Sequence, residues 1–562
     1  MSRKLLLLML LALLVGTLNL ASRVEKAEAS GTIYIRADGS IDPPDAPIST
    51  ADNVTYTFVG NISDSIVVER DNIVVDGAGY TVQGTGSSGT GLGLSGRSYV
   101  TLKNMRITAF RQGVLLHESS SNLLCGNNIT ANNDGYGIWL YSSSNNNSVS
   151  GNNITTSNND GYGIILDSSS GNSVSGNNIT ANNDADGILL YSSSNSNSIC
   201  RNNIAANDGT GVTLQEHSNN NTVCKNDIAN SDYGIALSYS SNSNFICENN
   251  VAGNRRGILL YRASSNRVYH NDFVANIEQV DSQQSVNVWD DGYPSGGNFW
   301  SDYNGTDANH DGIGDTPYIT DANDADRYPL MGMFQSFSTS SGKHLTVVSN
   351  STIEDVDFYS KYSIVEKIKM HVSNMTVNQT CGFCLVCIPH DLMLEGYNVT
   401  IDGTTPLYSD YVVYDNSTHR WIYFTYQHPA KEIIIKLVYN NEAKFKGRVM
   451  SNEWHSFLCY GAYMRHVKVD EILYDPSGLL MPNDTVTIAY EYPKNWTTGD
   501  EVECYGMYYK YGGPRGYIGF FVCKWSPYYA IPEFPSFLIL PLFFTATLLA
   551  VIAYKRKQAD RR

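Results

Sequence analysis

Along the middle of the chain, apolar residues fall in short runs at alternate positions, and the same order of runs returns again and again: Ile138 and Leu140, then Val149, then Ile154. Alternation at period two predicts strands with one face turned to a core, and the Ser, Asn, Asp and Gly clusters between runs predict turns. Three such runs make one unit. The segments GVLLHESSSN, GIWLYSSSNN, GIILDSSSGN, GILLYSSSNS, GVTLQEHSNN, GIALSYSSNS and GILLYRASSN each open on a glycine, at Gly113, Gly137, Gly163, Gly187, Gly211, Gly234 and Gly257, spaced 23 to 26 residues apart. Asparagines of an N-x-(hydrophobic)-x-x-N landmark recur in phase at Asn122, Asn147, Asn172, Asn197, Asn221, Asn244 and Asn266. A fixed period with two constant phases indicates stacked units. Three short strands per unit predict an all-β, right-handed parallel β-helix. A leucine-rich repeat of similar period would need a helical stretch and an L-x-x-L-x-L frame, and neither is present.

Stacked strands lie ~4.8 Å apart, so roughly nine turns between Asn72 and Val288 predict a rod of about 40 Å. Asparagines at one phase are expected to form an inward ladder of side-chain amides, bonded to the turns above and below. The repeat glycines are expected to adopt a backbone conformation that side chains resist. A solenoid also needs its ends covered. Residues 30–71, with Ile33, Tyr34 and Ile35, are expected as an N-terminal cap, and 72–333 as the β-helix with an Asp-rich closing loop.

After the rod the runs become rich in Val, Ile, Tyr and Phe, broken by turns such as Asp402-Gly403, and predict a β-sandwich-like domain over 334–437. Five strand-like runs over 438–527 predict an OB-like β-barrel. The two ends carry different signals. Arg3 and Lys4, the apolar run from Leu5 to Leu20 and Ala27-Glu28-Ala29 before Ser30 predict a signal peptide over 1–29, with an uncleaved signal anchor as the alternative. After a linker over 528–536, Phe537 to Tyr554 is apolar over roughly 27 Å of helix, enough for one transmembrane helix, and Lys555, Arg556 and Lys557 in the tail 555–562 place its end on the cytoplasmic side. The body is therefore expected on the extracellular face of the membrane, where Asn-x-Ser/Thr sites such as Asn53, Asn128, Asn153, Asn178, Asn304 and Asn398 are open to glycosylation. A net charge of −17, with no basic cluster inside the chain, argues against nucleic acid as a partner.

The segment Asn72-Ile73-Val74-Val75-Asp76-Gly77-Ala78-Gly79, the repeats, and above all GNFWSDYNGTDANHDGIGDTPYITDANDADRYPLM from Gly297 to Met331 resemble the NosD-like β-helix proteins, a branch of the carbohydrate-binding and sugar-hydrolase β-helices. The resemblance covers about residues 65–331. It implies a β-helix and, more weakly, a copper-related periplasmic role or sugar chemistry. Pro532-Glu533-Phe534-Pro535, the apolar run and the basic end resemble the PEF-type sorting tails of archaeal surface proteins, which leaves open whether the tail is retained.

Several residue sets carry candidate chemistry. Asp307, Asn309, Asp311 and Asp315, with Gly312 at the bend, place oxygens at alternate positions as calcium requires, and resemble the first part of an EF-hand loop. Tyr318 stands where the twelfth-position Glu would be, so further ligands would come from Asp321, Asp324 or Asp326. Asp134, Asp160, Asp184, Asp208 and Asp232 recur ahead of the repeat glycines as a possible acidic ladder, the alternative being ordinary turn aspartates fanned into water. Cys200, Cys224 and Cys247 share one phase with Cys125, and neighbouring turns are within disulfide range. In Cys381-x-x-Cys384-x-x-Cys387 a strand would turn Cys384 and Cys387 to opposite faces, which disfavours zinc. The tyrosines and Trp139 are candidates for a sugar-stacking face or for ordinary outward aromatics. His117, His217 and His270 fall at different phases, so no copper ladder is expected. The repeats from Gly113 to Asn266 contain no G-H-G, no Asp-Asp pair among their turns and no R-x-P-x-x-R. The expectation is a surface recognition or structural protein that binds glycans or other cell-surface polymers. The alternatives are an extracellular polysaccharide lyase or hydrolase, and NosD-like copper handling.

Overall fold

The computed structural model describes residues 31–437 except 87, 157–160, 182–183, 207, 362–363, 394–396, 405 and 407–411, and beyond them the segments 442–450, 463–474, 485–490, 501–510 and 517–524. The expected signal peptide and the expected membrane helix fall outside the described residues. Among those described, no helix is long and apolar enough to cross a membrane.

Residues from Ile33 onward wind into a parallel β-helix of about nine turns. One turn consists of Ser148–Ser150, Asn153–Thr156 and Tyr162–Asp167, and the next of Ser173–Ser175, Asn178–Ala181 and Asp186–Tyr191. The two turns pair in parallel register, Val149 with Val174, Ile154 with Ile179 and Ile164 with Ile188. One face of the rod is an 11-stranded sheet, while the other two run together as a 20-stranded sheet because Arg106–His117 and Asn128–Tyr141 continue through the corner. Ile138, Leu140, Val149 and Ile154 are fully buried, and each such side chain contributes ~1.5–3 kcal/mol of burial free energy.

Residues 31–71 begin the strand stack at the N-terminal end. Ile33–Ile35 pairs in parallel with Ile66–Val68, whereas Ile41–Asp42 folds back antiparallel on Ile33–Ile35 and Ile48–Ser49 on Thr55–Phe58.

Two amide ladders run along the rod from Asn122 and Asn127 onward, not one. In the first, each Nδ2 from Asn122 to Asn266 donates to Oδ1 of the asparagine one turn on, ending at Asn287, over 3.0–3.2 Å. The second runs from Asn127 to Asn298 over 2.8–3.0 Å. These asparagines are buried, so the ladders satisfy groups that would otherwise be costly to leave unpaired. The repeat glycines serve a purpose different from the one expected. Their φ values are ordinary, and what they need is space: a Cβ on Gly187 would lie 2.4 Å from Ile204 Cγ2 and 2.6 Å from the Gly211 carbonyl oxygen of the next turn.

The C-terminal end of the core is closed by aromatic rings. Phe273 stacks on Trp300 at 4.5 Å, and Trp300 on Tyr318 at 4.4 Å. A five-stranded sheet follows in the order Met333–Ser338, His344–Ser349, Cys381–Pro389, His419–Gln427, Tyr414–Asp415. Its first strand seats on the rod: the Phe334 N–H donates to Asp272 Oδ1 at 2.8 Å, and the Phe334 ring stacks on His270 at 4.0 Å. Ile313, Leu330, Phe334, Val348, Phe383 and Leu385 form the apolar contact. A four-stranded sheet is built from Thr352–Lys361, Ile364–Ser373, Glu432–Leu437 and Tyr397–Ile401. Separately, Glu442–Val449, Tyr463–Tyr474, Thr485–Tyr490, Tyr517–Lys524 and Glu501–Lys510 close into a five-stranded barrel.

Candidate functional site

The third strand of each turn breaks strict alternation just after its glycine. In the stretch from Tyr136 to Tyr141, Gly137, Ile138 and Leu140 are buried, while Tyr136, Trp139 and Tyr141 keep exposure on the outer face. Parallel register then carries three outward columns from turn to turn. One is Tyr136, Tyr162, Asp186; the middle one is Trp139, Ile165, Leu189; the third is His117, Tyr141, Asp167, Tyr191. Ile165 and Leu189 are only 6% and 9% exposed although they stand outside the interior cluster. The columns therefore form a trough with an apolar floor and two polar rails.

Aromatic rings gather at one end of this trough. Tyr136 lies 5.2 Å from Trp139 and 5.7 Å from Tyr162, Trp139 lies 4.9 Å from Tyr141, and His117 lies 5.4 Å from Tyr141. Along both rails the next turn supplies a carboxylate. Asp186 accepts from the Thr210 N–H and the Thr213 hydroxyl, each at 2.9 Å, and burial pushes its pKa up against those bonds. Asp167 accepts from the Ser168 hydroxyl at 3.0 Å and is raised by burial and then by the charge of Glu216. Glu216 also accepts from the Tyr191 phenol, which raises that group. Farther along the rod the character changes: Arg256 donates to Tyr233 Oη at 2.5 Å and to Glu278 at 2.7 Å, so cations there stand beside acids of their own.

Of the expected acidic ladder, the side chain of Asp134 and all of Asp160 lie outside the described residues. Asp184 and Asp208 are exposed turn residues with φ of 57° and 66°, two positions ahead of Asp186 and Thr210 and thus at the rim of the trough. Asp232 pairs with Arg255. Asp167 and Asp186 were not singled out from the sequence, since neither shares the ladder's phase; aligning the third strands of successive units would have shown them interrupting the tyrosine columns.

The Asp307–Asp315 loop is closed by its own bonds. Asp307 accepts from the Asp311 and Gly312 N–H groups at 3.0 and 2.9 Å, Asp311 from Ile313 N–H and Asn309 Nδ2 at 2.9 Å, and Asp315 from Ala308 N–H at 2.7 Å. The donor set is all oxygen, which suits a hard cation, but an ion would have to displace these bonds. Asp321, Asp324 and Asp326 turn elsewhere. Asp321 accepts from Ser282, Asp324 from the Asn287 N–H, and Asp326 from the Asn298 N–H and Trp300 Nε1. Among the described residues no group of three or more His, Cys, Asp or Glu converges as a metal ion requires.

Cys200 and Cys224 form a disulfide across neighbouring turns, Cα atoms 4.8 Å apart. Cys247 follows in register and is a buried thiol pushed up to about 12 by burial. Cys384 is buried and Cys387 partly exposed on the other face of its strand.

The fold and the trough define the class, a parallel β-helix protein with an aromatic-lined outer face. Within it, residues 47–231 and 183–305 match the family described as periplasmic copper-binding protein (NosD), so the rod is NosD-like. Among solved structures the chain is similar to the periplasmic alginate epimerase AlgG, at 18% identity and a TM-score of 0.26, covering 44% of this chain and 70% of that one. It is also similar to DFA-IIIase from Arthrobacter chlorophenolicus A6, at 18% identity and a TM-score of 0.30, covering 42% of this chain and 63% of that one. These likenesses concern β-helix architecture and carry no argument about activity. No curated protein matches the sequence.

Proposed function

We propose that the chain is a cell-surface glycan-recognition protein and that the outer trough is its contact surface. The observation that carries this reading is the cluster of Tyr136, Trp139, Tyr141 and Tyr162 beside an apolar floor, with carboxylates along both rails. Aromatic faces present apolar area to the C–H faces of sugar rings, while phenols and carboxylates bond the hydroxyls. The turns rise ~4.8 Å, close to the length of a pyranose unit, so successive units of a chain laid along the rod would face successive turns. The export signal and apolar C-terminal run support placement outside the cell.

Affinity electrophoresis of the purified ectodomain through gels loaded with polysaccharides tests the reading. Trp139→Ala should weaken retardation about tenfold, in line with the loss of one well-stacked ring, and product analysis on the same samples separates binding from cleavage. A panel of neutral, acidic and amino polysaccharides that all fail to retard the protein would sink it. The copper-related reading that the family's description carries has no converging His or Cys set among the described residues, and the trough takes precedence over it.

A further inference from the structure

The charges on the trough are one-sided, and this bears on which sugar it takes. Of the strands that build it, Tyr136 to Tyr141, Tyr162–Asp167, Asp186–Tyr191 and Thr210–Leu214 contain no lysine or arginine, whereas Arg106–His117, which supplies His117 at one end, carries Arg106 and Arg111. The nearby guanidinium of Arg111 lies at the opposite end from the acids, 6.0 Å from the Tyr136 ring. Asp167 and Asp186 stand on the rails, Glu216 stands close enough to Asp167 to raise it, and the exposed Asp184 and Asp208 sit at the rim.

The arrangement repeats on both sides of the floor. Tyr141 is followed in register by Asp167, and Tyr162 by Asp186. A ring stacked on the tyrosine of one turn therefore places its substituents toward a carboxylate of the next. Uronates, sulfates or phosphates would be repelled by these carboxylates. A neutral sugar would leave the Asp167 carboxylate, which accepts one hydroxyl bond from Ser168, without a charged partner. A protonated amine would give it a charge-assisted bond and would also be drawn to the faces of Trp139 and the tyrosines.

We infer that the trough binds a polysaccharide whose pyranose units carry free, protonated amines, with the amines paired to Asp167 and Asp186. This rests on the glycan-binding reading and narrows it to one substrate class. The probes are three hexamers of matched length: β-1,4-linked glucosamine, its N-acetylated counterpart, and an oligogalacturonate. Isothermal titration of the purified ectodomain is run at about pH 6, where the amines are charged. The glucosamine hexamer should bind at least about tenfold more tightly than the acetylated one, and the oligogalacturonate should not bind measurably. Asp167→Asn should remove most of that preference and bring the two hexamers to comparable affinity. Asp167 lies outside the core, and the thermal transition of the variant checks that its fold is intact.

Equal binding of the two aminosugar hexamers, or an Asp167→Asn variant that keeps the preference, overturns the charge assignment and leaves glycan binding standing. Tightest binding of the oligogalacturonate does the same. If no hexamer binds while the polysaccharide gels still retard the protein, the amino-sugar assignment fails and the broader reading survives.

Discussion

Asp326 occupies the position where the second asparagine ladder ends. In that ladder each backbone N–H and one Nδ2 bond run toward the C-terminal end, while Nδ2 also donates back to a carbonyl of the preceding turn, so the last turn presents the Asn298 N–H with no further asparagine to meet it, and Asp326 Oδ2 accepts it at 2.7 Å. The parallel ladder ends in the same way, with the Asn287 N–H donating to Asp324 at 2.6 Å. A carboxylate at the donor end of aligned amides is favoured for the reason that acids are favoured at helix N-termini. Gly297 makes room, since a Cβ there would lie 1.9 Å from Asp326 Oδ1. Asp326 is fully buried, however, and burial pushes its pKa up to about 7 against the bonds from Asn298, Trp300 and Tyr328. The folded state therefore holds a proton that the unfolded chain releases near its ordinary value of 3.8. This contribution to stability is fully present below that value and is lost as pH rises through about 7. Asp326→Asn keeps an accepting oxygen and cannot ionise, so its urea midpoint should fall less than the parent's between about pH 5 and about pH 8. Identical pH dependence in the two proteins would remove Asp326 from the account. The sequence displayed these acids as a motif suited to calcium; that two of them cap ladders was hidden, because it depends on where the last turn ends in space.

At the scale of the strand and the turn, much was legible. Period, three strands per unit and an inward amide ladder all follow from apolar alternation and from asparagines at one phase. A second ladder, from Asn127 to Asn298, stands in plain view in the sequence, because its members up to Asn271 are the closing asparagines of the same N-x-(hydrophobic)-x-x-N landmark. The columns of the trough were harder to read. They depend on the break in alternation after each glycine, which puts two successive residues inward and reverses what faces out. The glycines themselves were located correctly and explained incorrectly: space, rather than φ, selects them. Gly187→Val should accordingly force apart the turns carrying Ile204 and Gly211, at a cost at or above the ~1–3 kcal/mol of ordinary overpacking, and the loss should spread because stacked repeats share their stability. Ser193, exposed on its turn, should tolerate alanine within about 0.5 kcal/mol. Thermal unfolding of both variants checks the contrast, and equal tolerance would contradict the close approach.

For the molecule as a whole, the arguments about compartment converge on a pair of cysteines. Disulfides persist in oxidising surroundings and are rare where thiols are kept reduced. Cys200 and Cys224 lie in register on neighbouring turns and are joined, while the buried Cys247 beyond them keeps its proton, so it is a poor attacker of that bond. The apolar run from Phe537 to Tyr554 and the basic tail after it are the sequence grounds on which we propose that the rod lies outside. If so, protease added to intact cells should remove the body and leave a short C-terminal fragment. Protein recovered from those cells and denatured without reductant should leave Cys200 and Cys224 unlabelled by maleimide, and reductant should make both reactive. The two readouts are independent, since one reports the side of the membrane and the other the chemistry of that side. A body protected from protease with both thiols labelled would place the rod in a reducing interior and overturn the topology. A body that is shaved but carries free thiols would leave the topology intact and show that the in-register pair is not oxidised in the cell.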